Sequence, residues 1–284
     1  MIVDAHHHLW DPARRDYPWM TGEAAQLRRR FDSGDLREVT AGLGVEHTVL
    51  VQAVGTLEET EELLATAADS DGLIVGVVGW VDLTLPDVAA TLARLLQGAG
   101  GGHLAGIRHQ VHDEADPDWL LRPAVQRGLR AVAEAGLVYD LLVRSRELPA
   151  AHRAAEQLPQ LSFVVDHAAK PEIGAGEWEP WSTRIAAMAA LPNVTCKLSG
   201  LVTEAGYPGW TVDHLAPYVT RLVELFGPAR LLFGSDWPVC TLAASYRSVL
   251  DAARTCLARA GLGASERADV LAGTAARVYG LDRR

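Results

Sequence analysis

Several common ingredients are scarce or missing in this 284-residue chain, and each gap closes off a class of protein. No apolar run approaches the ~20 residues that a helix needs to cross a bilayer, so no membrane partner is expected. The N-terminus has no basic stretch ahead of an apolar one, so no secretory leader is expected either. Only three cysteines occur, Cys196, Cys240 and Cys256, and none forms a Cys-x-x-Cys pair. That usage argues against a disulfide framework and for reduced thiols in a cytoplasmic protein. Basic residues are outnumbered, with a net charge of −10. The one compact basic run, Arg28-Arg29-Arg30, has acidic residues on both sides, so a nucleic-acid surface is not expected. No low-complexity linker divides the chain. The glycine-rich stretch 98–102 lacks the Lys-Ser/Thr ending of a phosphate loop and reads as a turn. One large domain is the simplest organisation for this length.

What is present is a repeated alternation. Short runs rich in Val, Ile and Leu, at 1–5, 48–54, 73–80, 104–109, 137–143, 161–166, 194–199 and 230–234, have the character of buried parallel strands. Helical patterns lie between them, at 35–42, 57–69, 86–96, 122–135, 146–157, 178–190, 212–226 and 242–260. A last one, 264–279, is expected to pack outside. Thr84 and Thr211 carry helix-start signals. Eight strands with helical crossovers predict an α/β fold, a (β/α)8 barrel in a single domain over 1–284, with long βα loops over its C-terminal face. A doubly wound open sheet is the alternative, but the first strand ends in histidines where that fold places glycines.

In such a barrel the reactive side chains stand at the strand C-terminal ends. Read in order, those ends offer His6 and His8, Gln52, Trp80 with Asp82, Arg108 with His109, Asp140, His167 with Lys170, Lys197 with Ser199, and Asp236 with Trp237. Alternation along a strand turns His6 and His8 to one face and His7 to the other. By the same rule Arg108 is preferred over His109 as a site residue. All eight tryptophans fall at strand ends or in the loops that follow. Trp10 and Trp237 adjoin the polar residues and are the expected substrate contacts, since large aromatics with one polar edge suit an amphipathic ring. The loop 11–32 is the candidate for a lid.

Four segments together carry a resemblance: Asp4-Ala5-His6-His7-His8-Leu9-Trp10, Gly106-Ile107-Arg108-His109, Val165-Asp166-His167-Ala168-Ala169-Lys170-Pro171 and Phe233-Gly234-Ser235-Asp236-Trp237-Pro238. The chain resembles the amidohydrolase superfamily over essentially its whole length, and most closely its branch of sugar-acid lactonases. The resemblance implies a (β/α)8 barrel in which Asp236 activates water. It also exposes departures. Binuclear members carry a carbamylated lysine or an acidic residue after strand four and histidines after strands five and six. Here strand four ends in Arg108-His109 and strand five reads Tyr139-Asp140-Leu141, so two metals are not expected. His6, His8, His167 and Asp236 suffice for one divalent ion, zinc by donor type. Because the resembled branch includes members that work without metal, metal-free or metal-optional catalysis is the expectation.

Opening a lactone needs a water, a base and support for an oxyanion. Asp236 is the candidate base, its basicity raised in a partly dry site. His6, His8 and His167 are candidates for oxyanion contacts or ligation. Arg108, whose fork donates bidentate bonds, is the first candidate for substrate binding, with His109 and Gln52 as lesser ones. The alternative for Arg108 is a salt bridge to Asp140. The roles of Lys170 and Lys197 are left open, a place at the rim paired with an acidic neighbour being one reading of each. The expected partner is a small sugar-acid lactone, with homo-oligomerisation left open. A metal-dependent decarboxylase or amide hydrolase on the same barrel is the alternative function. Which sugar, and which ring size, rests on loop geometry that spacing does not reveal.

Overall fold

The structure, a computed structural model, describes residues 1–206 and 209–281. Its frame is eight strands: β1 (Ile2–His7), β2 (Val45–Val51), β3 (Ile74–Gly79), β4 (Leu104–His109), β5 (Val138–Leu141), β6 (Phe163–Val165), β7 (Val194–Leu198) and β8 (Leu231–Phe233). They pair in sequence order, every pair parallel. A further parallel bridge between His7 and Trp237 brings β1 to the end of β8. This is the (β/α)8 barrel, and each predicted strand lies at its expected place in the chain.

The crossovers are α1 (Ser33–Thr40), α2 (Leu57–Ala68), α3 (Val88–Gln97), α4 (Pro123–Glu134), α5 (Leu148–Gln157), α6 (Trp181–Ala189), the short α7 (Leu201–Glu204), α8 (Val212–Phe226) and α9 (Tyr246–Arg259). Their starts have local causes. Asp32 accepts from the N–H groups of Gly34 and Asp35, Thr56 accepts from Glu59 N–H, and Ser245 accepts from Ser248 N–H, each satisfying orphan donors of a first turn. Thr211 caps α8, and its own N–H donates to His214 Nδ1. Thr84 does not start a helix: its N–H and hydroxyl are spent on Asp82, and α3 begins only at Val88. Among the described residues no helix is long and apolar enough to cross a membrane.

Apolar packing forms two layers. The larger lies between the barrel and its helices. The smaller fills the barrel with slim side chains, including Val3, Ala5, Val49, Val51, Val78, Ala105, Val138, Val164 and Leu232. The C-terminal segment departs from expectation. It is α10 (Ala264–Ala268), a π-helical turn (Asp269–Gly273) and α11 (Thr274–Tyr279), and it does not pack simply outside. Ala272, Ala275 and Tyr279 join the inner layer. The segment sits beneath the strands, where Thr274 and Arg277 donate to carbonyls of Pro228 and Ala229, just ahead of β8. Slim side chains in the barrel leave room for the Tyr279 ring. Its hydroxyl, able to donate to either oxygen, lies 3.0 and 2.8 Å from the two carboxylate oxygens of Asp140 on β5.

A buried carboxylate that loses a donor keeps its desolvation penalty. Tyr279→Phe is therefore expected to lower unfolding free energy by about 1–3 kcal/mol. Urea denaturation checks this, with an unchanged slope showing that the compactness of both states is retained.

Candidate active site

The first strand carries a bulge, seen as a break in its register with β2 between Asp4 and His7. Asp4 and His7 face outward, His7 meeting the Thr48 hydroxyl at 2.9 Å, while His6 and His8 face the barrel axis. His8 Nδ1–H donates to the Val51 carbonyl at 2.7 Å, which turns Nε2 toward His6 and Asp236. The His6 ring is held on its Nδ1 side by Asp166 Oδ1 at 3.4 Å and Lys197 Nζ at 3.1 Å.

His167 and Asp236 stand on strained backbone. Six described non-glycine residues have left-handed φ, and five of them are His167, Ala168, Ala169, Lys170 and Asp236. Such conformations cost energy unless their surroundings impose them, and they concentrate here in the two segments that reach the site. Trp181 holds one segment by donating to the Ala168 carbonyl at 2.7 Å. His167 Nδ1 meets the Ser199 hydroxyl at 2.8 Å. The other segment is tied to β1: Asp236 N–H donates to His6 O at 2.8 Å, and His8 N–H donates to Trp237 O at 2.7 Å. Behind the seam, Asp4 accepts from Ser235 N–H (2.8 Å), the Ser235 hydroxyl (2.6 Å) and the Tyr246 hydroxyl (2.9 Å). Residue 234 must be glycine for this approach, since a Cβ there would lie 2.6 Å from His6 Cβ.

These devices gather four donor atoms. His6 Nε2 and His8 Nε2 are 3.2 Å apart. Asp236 Oδ1 lies 3.8 Å from His6 Nε2, 3.5 Å from His8 Nε2 and 4.0 Å from His167 Nε2. Ligands about 2.0–2.1 Å from a tetrahedral ion stand roughly 3.3–3.4 Å from one another. His6, His167 and Asp236 each offer a ligand atom, all within 4.8 Å of one another, the donor types of a divalent-metal site, and His8 stands beside His6 and Asp236. Burial keeps the imidazoles of His6 and His167 neutral, as ligation requires, with His167 lowered to about 4. Asp236 departs from the sequence expectation of raised basicity. Burial pushes its carboxyl up, but His167, His8 and His6 outweigh burial and hold it well below the ordinary carboxylate range.

Beneath this cluster lies a buried charge network. Lys197 Nζ reaches Asp140 Oδ2 at 2.5 Å and Asp166 Oδ1 at 2.9 Å, and Arg108 Nη1 reaches Asp166 Oδ2 at 3.0 Å. Two cations thus face two carboxylates inside the barrel. Lys197 is no rim residue. Arg108 pairs with Asp166 rather than Asp140, and its Nη2 donates to the Gln52 backbone carbonyl, so both Nη nitrogens already have protein partners.

Above the cluster opens a cavity of about 710 Å3. His8, His167, Asp236 and Arg108 line its floor, and His6 lies just below them. Its walls combine the apolar surfaces of Trp19, Trp80, Val54, Leu142 and Val239 with polar groups of His109, Gln110, His112, Asp113, Glu114 and Lys170. Lys170 pairs with Glu204 at 2.9 Å. The expected lid loop contributes Asp16, Pro18 and Trp19. Other expectations shift. Trp10 and Trp237 are buried and do not appear among the described residues of the wall. Trp10 instead donates to the carbonyls of Leu27 and Arg29 and packs on Trp19 and Phe31, anchoring the loop. Trp237 packs edge-on against Phe31. Gln52 is buried and exchanges amide bonds with Gln110, which takes the place on the wall. Alternation did not exclude His109, because the chain turns after β4 and both Arg108 and His109 line the cavity. Glu114 was missed altogether, since it lies five residues beyond a strand end, in a loop without periodicity.

A closed parallel barrel with three imidazoles and a carboxylate gathered at its strand C-terminal ends is the architecture of a hydrolase built around a metal-competent polar centre. The chain belongs to the Amidohydrolase family, which it matches over residues 3–281. It is 40% identical to the L-fucono-1,5-lactonase of Burkholderia ambifaria, the alignment covering 99% of this chain and 96% of that protein. It is 37% identical to the L-fucono-1,5-lactonase of Burkholderia multivorans, over 98% of this chain and 96% of that one. Among solved structures, an amidohydrolase from Burkholderia multivorans with bound zinc superposes with a TM-score of 0.90 at 36% identity, covering 99% of each chain.

Two stability measurements test the electrostatics. Lys197→Met leaves two buried carboxylates without their ammonium, and a loss of about 3–5 kcal/mol is expected in denaturant unfolding. Glu59 Oε2 accepts from the N–H groups of Ala53 and Val54 on the cavity wall, both at 2.9 Å. Burial pushes the Glu59 carboxyl up to about 7 from an ordinary 4.5, despite those donors. The folded chain therefore holds a proton that the unfolded chain has released, and this group's contribution to stability falls as pH rises from about 4.5 to 7. Relative to Glu59→Gln, the wild type should lose on the order of 1–3 kcal/mol between pH 4.5 and 8.

Proposed function

We propose that this protein hydrolyses the ester ring of a sugar-acid lactone, of the L-fucono-1,5-lactone type acted on by its relatives. The observation that carries the reading is the convergence of His8, His167 and Asp236 on the floor of a cavity walled by both indoles and polar side chains, with His6 just beneath them. A sugar lactone has that dual character, with apolar C–H faces and a hydroxyl rim.

All three imidazoles approach Asp236 at Oδ1, and Oδ2 is assigned to a water. That oxygen takes the water's proton as the hydroxide adds to the ester carbon. The bond from that carbon to the ring oxygen then breaks, and the proton passes from Asp236 to the departing oxygen, giving the open hydroxy acid. Arg108, with its guanidinium 3.3 Å from His6 Nε2, adds fixed positive charge where the carbonyl oxygen becomes anionic. Its committed fork makes it a source of field rather than a bidentate clamp. The four clustered donors are assigned to one zinc ion, which when bound polarises the ester carbonyl or acidifies water. This reading favours the metal-bound form over the metal-optional one, because His6, His167 and Asp236 offer ligand atoms close together and burial keeps the imidazoles of His6 and His167 unprotonated.

The decisive experiment is proton release from a panel of aldonolactones, before and after chelation, with metal content measured. Turnover of one or a few 6-deoxy-sugar lactones is expected, with about one zinc per chain and loss of rate on chelation. Asp236→Asn should fold normally and lose ~10²–10⁴-fold in kcat. No turnover of any lactone would overturn the reading and return the decarboxylase or amide-hydrolase alternative to first place. Full activity after complete metal removal would return the cluster to direct hydrogen-bonding roles.

A further inference from the structure

One wall of the cavity holds a relay that the hydrolytic steps leave unused. The indole N–H of Trp80 donates to His109 Nδ1 at 3.0 Å. An indole N–H can only donate, so Nδ1 carries the lone pair and the ring proton sits on Nε2. That Nε2–H donates to Glu114 Oε1 at 2.9 Å. The His109 ring also lies flat on Trp119, with centroids 4.2 Å apart and planes 6° apart. Trp119 is itself buried. His109 therefore has no ring nitrogen to spare for a substrate. What it does is fix a carboxylate.

Glu114 lines the cavity with its side chain 29% exposed, open to a ligand yet not free in solvent. Its bond to His109 uses one position on Oε1. A carboxylate has roughly four lone-pair positions, so several remain. The other acids on this wall are held differently. Asp113 is largely exposed, with Oδ1 at 3.2 Å from His112 Nε2, and Asp16 is paired with Arg28 at 2.9 Å. Glu114 is the wall carboxylate aimed by an aromatic-backed relay.

We propose that Glu114 reads the hydroxyl configuration of the sugar-acid ring, accepting hydrogen bonds from ring hydroxyls, and that His109 is the positioning residue that aims it. The assignment rests on the lactonase reading and deepens it. The physical reason is asymmetry of cost. A matched hydroxyl pair satisfies a partly desolvated carboxylate, whereas an epimer with one hydroxyl turned away leaves the same charge short of a donor. Sites built around a substrate hydroxyl discriminate strongly for that reason. The indole surfaces of Trp19 and Trp80 supply contact that does not depend on hydroxyl configuration, so configuration is left to a polar group of this kind.

The test compares wild type, Glu114→Gln and His109→Phe on lactones that differ by one epimerised or deleted hydroxyl. Glu114→Gln should lose about 10–100-fold in kcat/KM for the preferred lactone, mostly through KM, and little for the deoxy analogue that lacks the matched hydroxyl. His109→Phe keeps the ring on Trp119 but cuts the relay, and should blunt the same preference with thermal unfolding little changed. An unchanged epimer ratio in Glu114→Gln overturns the assignment. Calorimetric titration with the corresponding open sugar acids separates the two failures. No lactone turnover by wild type would sink the lactonase reading alone, if a sugar acid still binds with a preference that Glu114→Gln abolishes. A preference that survives in Glu114→Gln, or no sugar-acid binding by wild type, overturns the role of Glu114.

Discussion

Everything at the reactive end of this barrel depends on how the last strand meets the first. Asp4 and Ser235 are 231 residues apart in the chain, yet a carboxylate on one accepts both the backbone and the hydroxyl protons of the other. Two backbone bonds across the same seam set His6 and His8 beside Asp236. The approach is so close that a side chain at Gly234 would collide with His6. Closure and site assembly are thus one event: a barrel that failed to close would leave the histidines without their carboxylate.

The second constraint is electrostatic. Burying Lys197, Arg108, Asp140 and Asp166 together is costly, and such groups persist only where each charge meets a partner. Here the partners form a continuous path. Tyr279 bonds Asp140, Asp140 bonds Lys197, Lys197 contacts His6 and Asp166, and Asp166 bonds Arg108. The path begins on the C-terminal helix beneath the barrel and ends on the cavity floor. It orients His6 from below. Above that floor the work divides differently. Indole surfaces provide shape-tolerant contact, and the Trp80–His109–Glu114 relay provides a fixed acceptor.

Much of this was readable in the residues. The eight apolar runs marked eight strands because a strand buried on both faces needs continuous β-branched or aliphatic side chains, and that need survives any detail of packing. His6, His8, His167 and Asp236 stood out because strand C-terminal ends of a parallel barrel converge, so polar residues there are placed together by topology alone. Where the reading slipped, it lacked a third dimension. Trp10 and Trp237 neighbour the site along the chain, but their rings turn to pack the loop. The helix ending at Tyr279 shows an ordinary alanine stripe, and nothing in that stripe says that it faces the inside of a barrel.

The sequence by itself determined the strand count, the order of elements and the identity of the polar side chains at each strand end, since periodicity and local capping act over a few residues. Tertiary structure alone decided which charges pair, which indoles reach the cavity, and that three imidazoles hold Asp236 acidic where burial alone would have raised it. Those outcomes depend on distances between residues far apart in the chain. A Coulomb interaction or a hydrogen bond is set by separation in space and by burial, and neither quantity is written in the spacing of residues.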